Sequence, residues 1–358
     1  MNPKFEISKS KVLEQYEKVK VLCDTVSYSS KTNSVVTGIL EKEKDCMFSI
    51  HIENELKNVK DLSRVLFFAQ AWREEKIRDL IVQGINWFVV DNKNDLEILE
   101  NFLEKNDPLA PEGVPRDISG EMSTKGINVL LRMKLQENTI KTEKYFVFGM
   151  GSDFVNKKLK ELRENSKIGK LGVHFHRKTQ NMAEWNLKYE FEDMISEENL
   201  KLIDVLNIGG GLPSEYANTN MNVLDSIYEK IKELRNFLKE NKIDLMIEPG
   251  RFIAAGSGKL ITKIIGIYEN NIIVNASVYN SDMDALIVPV KLLVDGENKK
   301  GTAYVIKGIT PCSLDLFRYK VYLENPKVGD ELVFLNAGAY NFGSDFCDLG
   351  KVESEIIE

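Results

Sequence analysis

The sequence predicts an α/β barrel followed by an all-β domain, and three observations carry that expectation. Between about Val26 and Phe252, eight short apolar, β-prone runs alternate with longer amphipathic stretches rich in Lys and Glu. This is the rhythm of a parallel sheet whose strands are separated by helices. After Arg251 the long amphipathic stretches stop, and strand-like runs separated by turn residues follow one another. The 358 residues are more than twice the ~150 of a typical domain, which leaves room for a large barrel and an appendage.

Phe5 to Ile7 is a short strand-like piece placed to join the β domain rather than the barrel. The barrel strands are expected at Ser27 to Lys31, Met47 to Ile50, Val65 to Ala69, Trp87 to Asp91, Asn128 to Met133, Lys170 to His176, Val205 to Gly209 and Asp244 to Glu248. Apolar residues recur at helical spacing in Arg73 to Gln83, Asp95 to Glu104, Phe154 to Asn165 and Val223 to Asn241, which predicts helices there. Eight strands in this alternation fit a closed (β/α)8, TIM-like barrel better than an open Rossmann sheet. Beyond it, Ile261 to Tyr268, Ile272 to Val278, Leu286 to Leu293, Thr302 to Ile306, Arg318 to Leu323 and Glu331 to Phe334 predict a C-terminal antiparallel β-barrel or sandwich. The expected boundaries are 20–255 for the barrel, with 1–19 and 256–358 in the β domain.

Composition narrows the function classes. Hydrophobic residues at 43% and charged residues at 29% exclude a disordered chain. The 48 basic and 55 acidic residues leave a net charge of −7 with no long basic block, so nucleic acid is not an expected partner. No apolar run approaches the ~20 residues that span a bilayer, and charges near the N-terminus stand where a signal peptide would be apolar. A cytoplasmic protein without membrane contact is expected. Cys23, Cys46, Cys312 and Cys347 are far apart and form no CxxC pair, so neither a disulfide framework nor a metal site is expected. The plain reading of any one of them is a small buried hydrophobe.

Barrel chemistry sits at the carboxyl ends of the strands, and four of those ends are unusual. Lys31 ends the first, His176 the sixth, Gly209-Gly210-Gly211 the seventh and Glu248-Pro249-Gly250-Arg251 the eighth. A lysine inside a barrel mouth is costly unless paired or used, and its common use is a Schiff base with a carbonyl cofactor. A solvated strand-end lysine is the plainer alternative. Successive glycines let backbone N–H groups approach an anion, phosphate being the natural one, although a tight turn would need them too. Glu248 and Arg251 could face the barrel mouth or simply pair with each other. A reactive lysine, a phosphate cradle, a flat imidazole and a carboxylate on one rim are together what pyridoxal 5'-phosphate requires.

On these residues the sequence resembles the ornithine/arginine/diaminopimelate decarboxylases of the alanine-racemase-like fold, over almost the whole chain. Ser27-Tyr28-Ser29-Ser30-Lys31-Thr32-Asn33 is similar to the family's cofactor-lysine motif, and Gly172-Val173-His174-Phe175-His176 to the segment whose last histidine stacks on the cofactor ring. Leu206 to Pro213 resembles the glycine loop that holds phosphate, and Glu248-Pro249-Gly250-Arg251 the segment whose Glu pairs with the pyridine nitrogen. Pro311-Cys312-Ser313-Leu314-Asp315 resembles the cysteine loop, and Asn336-Ala337-Gly338-Ala339-Tyr340 the segment whose Tyr touches phosphate.

The resemblance implies pyridoxal phosphate held by Lys31, His176, Thr179, Gly209, Gly210, Gly211, Glu248, Gly250, Arg251 and Tyr340. It implies a homodimer in which Cys312 acts across the interface to protonate the former α-carbon, with Ser313, Asp315 and Asp282 near the substrate. Arg177 and Lys178 intervene between His176 and Thr179 where the family has small residues, and Ser313 stands where it often has an acid. The implied activity is decarboxylation of an amino acid to its amine and carbon dioxide. Its substrate would be a basic or diamino acid or polyamine precursor such as ornithine, arginine, lysine, diaminopimelate or carboxynorspermidine. An acid at Glu248 favours this over an amino-acid racemase or epimerase on the same fold, and an intact Lys31 and glycine loop favour it over an inactive regulatory homologue. A distal carboxylate on the substrate would instead ask for a cation such as Arg318 or Lys320.

Overall fold

The computed structural model describes residues 2–105, 126–134 and 148–358. Strand β1 (Lys4–Ser8) leads through a helix, Lys9–Lys20, into β2 (Thr25–Ser29), β3 (Met47–Ile50), β4 (Val65–Ala69), β5 (Trp87–Val90), β6 (Ile127–Arg132), β7 (Ile168–His174), β8 (Val205–Asn207) and β9 (Asp244–Ile247). Strands β2 to β9 pair in chain order and close into a parallel barrel, Val26 meeting Ile247 at the seam. Alternation along the strands divides the apolar residues in two. Leu66, Val89 and Leu130 cluster with Val205 and Met246, whereas Phe67, Phe88 and Leu131 join Leu80, Leu99 and Leu159 of the surrounding helices. The first set fills the barrel and the second forms the layer between strands and helices, as a period of two requires.

The rest of the chain forms β10 (Gly258–Tyr268), β11 (Asn271–Val274), β12 (Leu293–Val294), β13 (Asn298–Lys307), β14 (Leu316–Tyr322), β15 (Glu331–Leu335) and β16 (Glu353–Ile357). Their sheet runs β12-β15-β10-β11-β13-β14, with β1 antiparallel to β10. Most neighbours are antiparallel, but β11 with β13 and β1 with β16 are parallel pairs.

Three expectations change. Leu286 to Leu293 is not a strand: Asp284–Ile287 makes one helical turn and Leu293–Val294 alone pairs. Pro289, which has no N–H for a ladder, stands between them, and Ile287 is exposed. Lys31 lies beyond β2, in a 3₁₀ turn over Ser30–Thr32, because Asn33 caps the next helix, its Oδ1 accepting from Val35 N–H at 2.9 Å. His176 stands two residues past the end of β7.

The two parts meet at the barrel's carboxyl end. Tyr340 N–H donates to Thr32 O at 2.9 Å and Asn33 Nδ2 to Gly338 O at 2.7 Å, so the Tyr340 segment is tied to the lysine turn. A Cβ on Gly338 would lie 2.0 Å from Ala254 O, so only glycine allows this approach. Among the described residues no helix is long and apolar enough to cross a membrane.

Candidate active site

A cavity of about 380 Å³ opens at the carboxyl ends of the barrel strands. Of the residues singled out from sequence, Lys31, His176, Thr179, Gly210, Gly211, Glu248, Gly250, Arg251 and Tyr340 line it. Gly209 lies behind them, and Cys312, Ser313, Asp315 and Asp282 are not on its wall.

Lys31 faces the cavity without an ion partner among the described residues. Desolvation pushes its amine below the ordinary lysine value, against the opposing pull of Glu248 and Glu55, and a lysine so placed is more readily the free base that attacks a carbonyl. Glu248 is buried at the cavity floor, its Oε1 accepting from Asn207 Nδ2 at 2.8 Å and its Oε2 3.5 Å from His174 Nε2. Burial alone would raise its carboxyl, but the imidazoles of His174 and His51 and the Asn207 amide hold it below the usual carboxylate range.

All three histidines of the chain line the cavity. The ring of His176 is open to it, yet dense protein around the barrel mouth holds its pKa down at about 3. Gly210 N–H donates to His176 Nδ1 at 3.1 Å, which leaves the neutral ring's proton on Nε2. His51 lies flat on Phe68, ring centroids 4.6 Å apart, and is likewise pushed down to about 3, first by desolvation and then by Lys31. His174 is lowered chiefly by its complete burial. The imidazoles are therefore neutral at pH 7, and cationic charge in the cavity comes from Lys and Arg.

The glycine loop is more committed than its sequence implies. Gly209 N–H donates to Asn207 Oδ1 at 2.8 Å and Gly210 N–H to His176, so two of the three amides expected to face a phosphate already have partners. At Gly209 a φ of 65° and a Cβ that would sit 2.7 Å from His176 Nδ1 both require glycine. Arg251 does not pair with Glu248. Its guanidinium grips both oxygens of Asp284, one at 3.0 Å, and donates to Tyr216 Oη at 3.0 Å and Thr179 Oγ1 at 3.1 Å. It also lies 4.7 Å from the centre of the Tyr340 ring, so it clamps barrel to β domain at the cavity edge.

The remaining expectations fall elsewhere. Asp315 is buried with its carboxylate taken by Val278 N–H at 2.8 Å, Thr310 N–H at 2.9 Å and Thr310 Oγ1 at 2.7 Å, which leaves it shaping the cysteine loop. Asp282 is buried beside Asp284, one oxygen unpartnered, and burial drives its carboxyl up. Cys312 is half-buried on the outer side of that loop, 2.9 Å from Tyr279 Oη, a contact that lowers the thiol pKa and raises the phenol to about 12. Ser313 is exposed. Cys23 and Cys46 are buried, but Cys347 is exposed, which corrects the plain reading for that one. Arg318 is held by Glu297 at 2.9 Å, so it offers no free cation.

His51, Asp91 and Arg132 line the cavity without having been singled out. Asp91 pairs with Arg132 at 3.0 Å. His51 stands just past, Asp91 at and Arg132 one residue before the end of an expected strand, so the strand-end rule that found Lys31, widened by one residue, would have found all three.

The residues fit pyridoxal phosphate: an amine of lowered basicity, a buried ionised carboxylate, a neutral imidazole face and backbone kept bare of Cβ atoms all converge on one space. Residues 9–255 match the model of the pyridoxal-dependent decarboxylase family, pyridoxal binding domain. The chain is 25% identical over 305 residues to a diaminopimelate decarboxylase of Aquifex aeolicus, covering 78% of this chain and 66% of that one. It is 23% identical over 335 residues to a diaminopimelate decarboxylase of Methanocaldococcus jannaschii, covering 88% and 73% respectively. In fold it superposes on the Vibrio vulnificus lysine/ornithine decarboxylase complexed with putrescine, with a TM-score of 0.79, 20% identity and coverage of 99% and 94%. The protein thus belongs to the pyridoxal-dependent decarboxylases of amino acids, with pyridoxal 5'-phosphate as its cofactor.

Proposed function

We propose that the chain decarboxylates a basic or diamino acid, or a polyamine precursor of that kind, in a site completed by a second copy of itself. The observation that carries this reading is the presence of Lys31 and the ionised, buried Glu248 in one cavity whose own wall lacks Cys312. The named relatives, which act on diaminopimelate, lysine and ornithine, support the substrate class.

When bound, the cofactor supplies a carbonyl for amine condensation and a sink for the electron pair left by the departing carboxylate. Lys31 would hold it covalently, and the lowered basicity of the amine favours that attack. Glu248 would accept a hydrogen bond from the protonated ring nitrogen, and its negative charge keeps the proton there. His176 would cover one ring face, held flat by the Gly210 amide. Gly211, Gly250, Thr179 and Tyr340 would surround the phosphate end. Phe68, Met133 and Phe148 supply apolar wall that would lower the polarity around the reacting carbon. Cys312 of the second copy would deliver the proton that replaces the lost carboxylate.

The test is a panel of ornithine, lysine, arginine, diaminopimelate and carboxynorspermidine incubated with the holoenzyme. Release of carbon dioxide with the matching amine from one of them is expected. Inversion at Cα without carbon dioxide, or no reaction with any, would overturn the proposal.

A further inference from the structure

Of the histidines in the cavity, His176 is fixed by the Gly210 amide and His51 by its stack on Phe68. His174 has neither anchor. It ends β7, its side chain is buried, and neither ring nitrogen has a hydrogen-bond partner. A wholly buried imidazole with both nitrogens unpaired is seldom kept without a use.

The group it faces is Glu248, whose Oε2 lies 3.5 Å from His174 Nε2. The other oxygen already takes the Asn207 amide at 2.8 Å. The Phe68 and His174 rings meet in a T-shaped contact, 5.2 Å between centroids at 83°. The other charged or titratable groups bearing on this corner are Arg132 from β6, Asp91 just beyond β5, His176, His51 and Lys31. Arg132 and Asp91 pair with each other at 3.0 Å, and His176 is neutral.

We propose that His174 is the positioning residue of Glu248: as a neutral imidazole with its proton on Nε2, it donates to Oε2 while Asn207 holds Oε1, and the two fix the carboxylate for the cofactor's ring nitrogen. The neutrality of both donors is the point. A guanidinium or imidazolium at either place would cancel the charge of Glu248, whereas two neutral donors orient the carboxylate and leave it a full anion. The 3.5 Å separation is longer than a finished hydrogen bond, and such contacts commonly tighten when a site is filled. The inference rests on the proposed function only in assigning Glu248 to the ring nitrogen.

The test uses holoenzyme reconstituted with pyridoxal phosphate labelled with ¹⁵N in the ring. His174→Phe keeps a flat ring and removes the donor; His174→Gln keeps a neutral N–H. In the native protein the ring-nitrogen resonance is expected at its protonated position. In His174→Phe it moves toward the unprotonated position and kcat falls roughly tenfold, the equivalent of about one pKa unit, with KM little changed. His174→Gln recovers both. A native resonance and native kcat in His174→Phe would overturn the proposal, as would equal losses in both variants. Should His174→Phe fail to fold, the native protein decides by the ¹⁵N signals of its own imidazole: an Nε2–H neutral tautomer supports the proposal, and an Nδ1–H tautomer or an imidazolium at pH 7 overturns it. If no amino acid releases carbon dioxide while the resonances behave as described, the decarboxylation reading fails and the positioning role stands.

Discussion

The proposed chemistry rests most heavily on the carboxylate of Glu248, and its environment suits an acid rather than a base at that place. It is buried, ionised and held by neutral groups, so it has charge to offer a protonated ring. Glu248→Gln keeps the shape and removes the charge, and kcat is expected to fall roughly 10²-fold or more; steady-state rates at saturating cofactor check this. The histidines make a second prediction, about pH. His51 is neutral in the fold down to about 3, whereas an unfolded histidine takes up a proton near pH 6.5. Below that value the unfolded chain binds more protons, so this part of the stability is fully present above about pH 6.5 and is lost progressively as pH falls toward 3. The melting temperature of the cofactor-free protein should decline steadily from pH 7 to pH 4; a flat profile over that range would contradict the assignment. Lys31, His176 and Glu248 were legible in the sequence because each ends a run read as a barrel strand. The partners that tune them were not, because the contacts of Asn207 and His174 with Glu248 join β8 and β7 to the end of β9.

The elements place these residues through their ends. The turn after β2 aims Lys31, the two residues after β7 aim His176, and the glycines after β8 hold the imidazole flat. Gly209→Ala is expected to destabilise by about 1–3 kcal/mol through left-handed backbone strain and the clash with His176, and to weaken cofactor binding; denaturant unfolding and cofactor titration test both parts. Asp284→Ala leaves the Arg251 guanidinium buried without its partner, and should cost about 3–5 kcal/mol by the same unfolding measurement. The barrel strands were readable from their apolar runs to within a few residues. The turn at Asp284–Ile287 was not, because Leu286, Ile287 and Val288 read as a strand, and only tertiary pairing with Arg251 fixes Asp284 in place.

At the scale of the molecule, the change of rhythm after Arg251 marked the passage from parallel barrel to mostly antiparallel sheet, and the strand at Phe5 to Ile7 joins that sheet beside β10. What sequence alone could not give was the place of Cys312, which is not on the wall of its own chain's cavity. A second copy supplying Cys312 predicts complementation: mixed and refolded Lys31→Ala and Cys312→Ala proteins, each inactive alone, should recover about a quarter of native activity through dimers with one intact site. No recovery would mean that each protomer works alone or not at all. The central claim, that Lys31 and Glu248 carry cofactor-dependent decarboxylation, is tested most directly by following labelled carbon dioxide from the preferred amino acid in the native holoenzyme and in Lys31→Ala. The account predicts one carbon dioxide per amine formed in the first and none in the second; undiminished release by Lys31→Ala would contradict it.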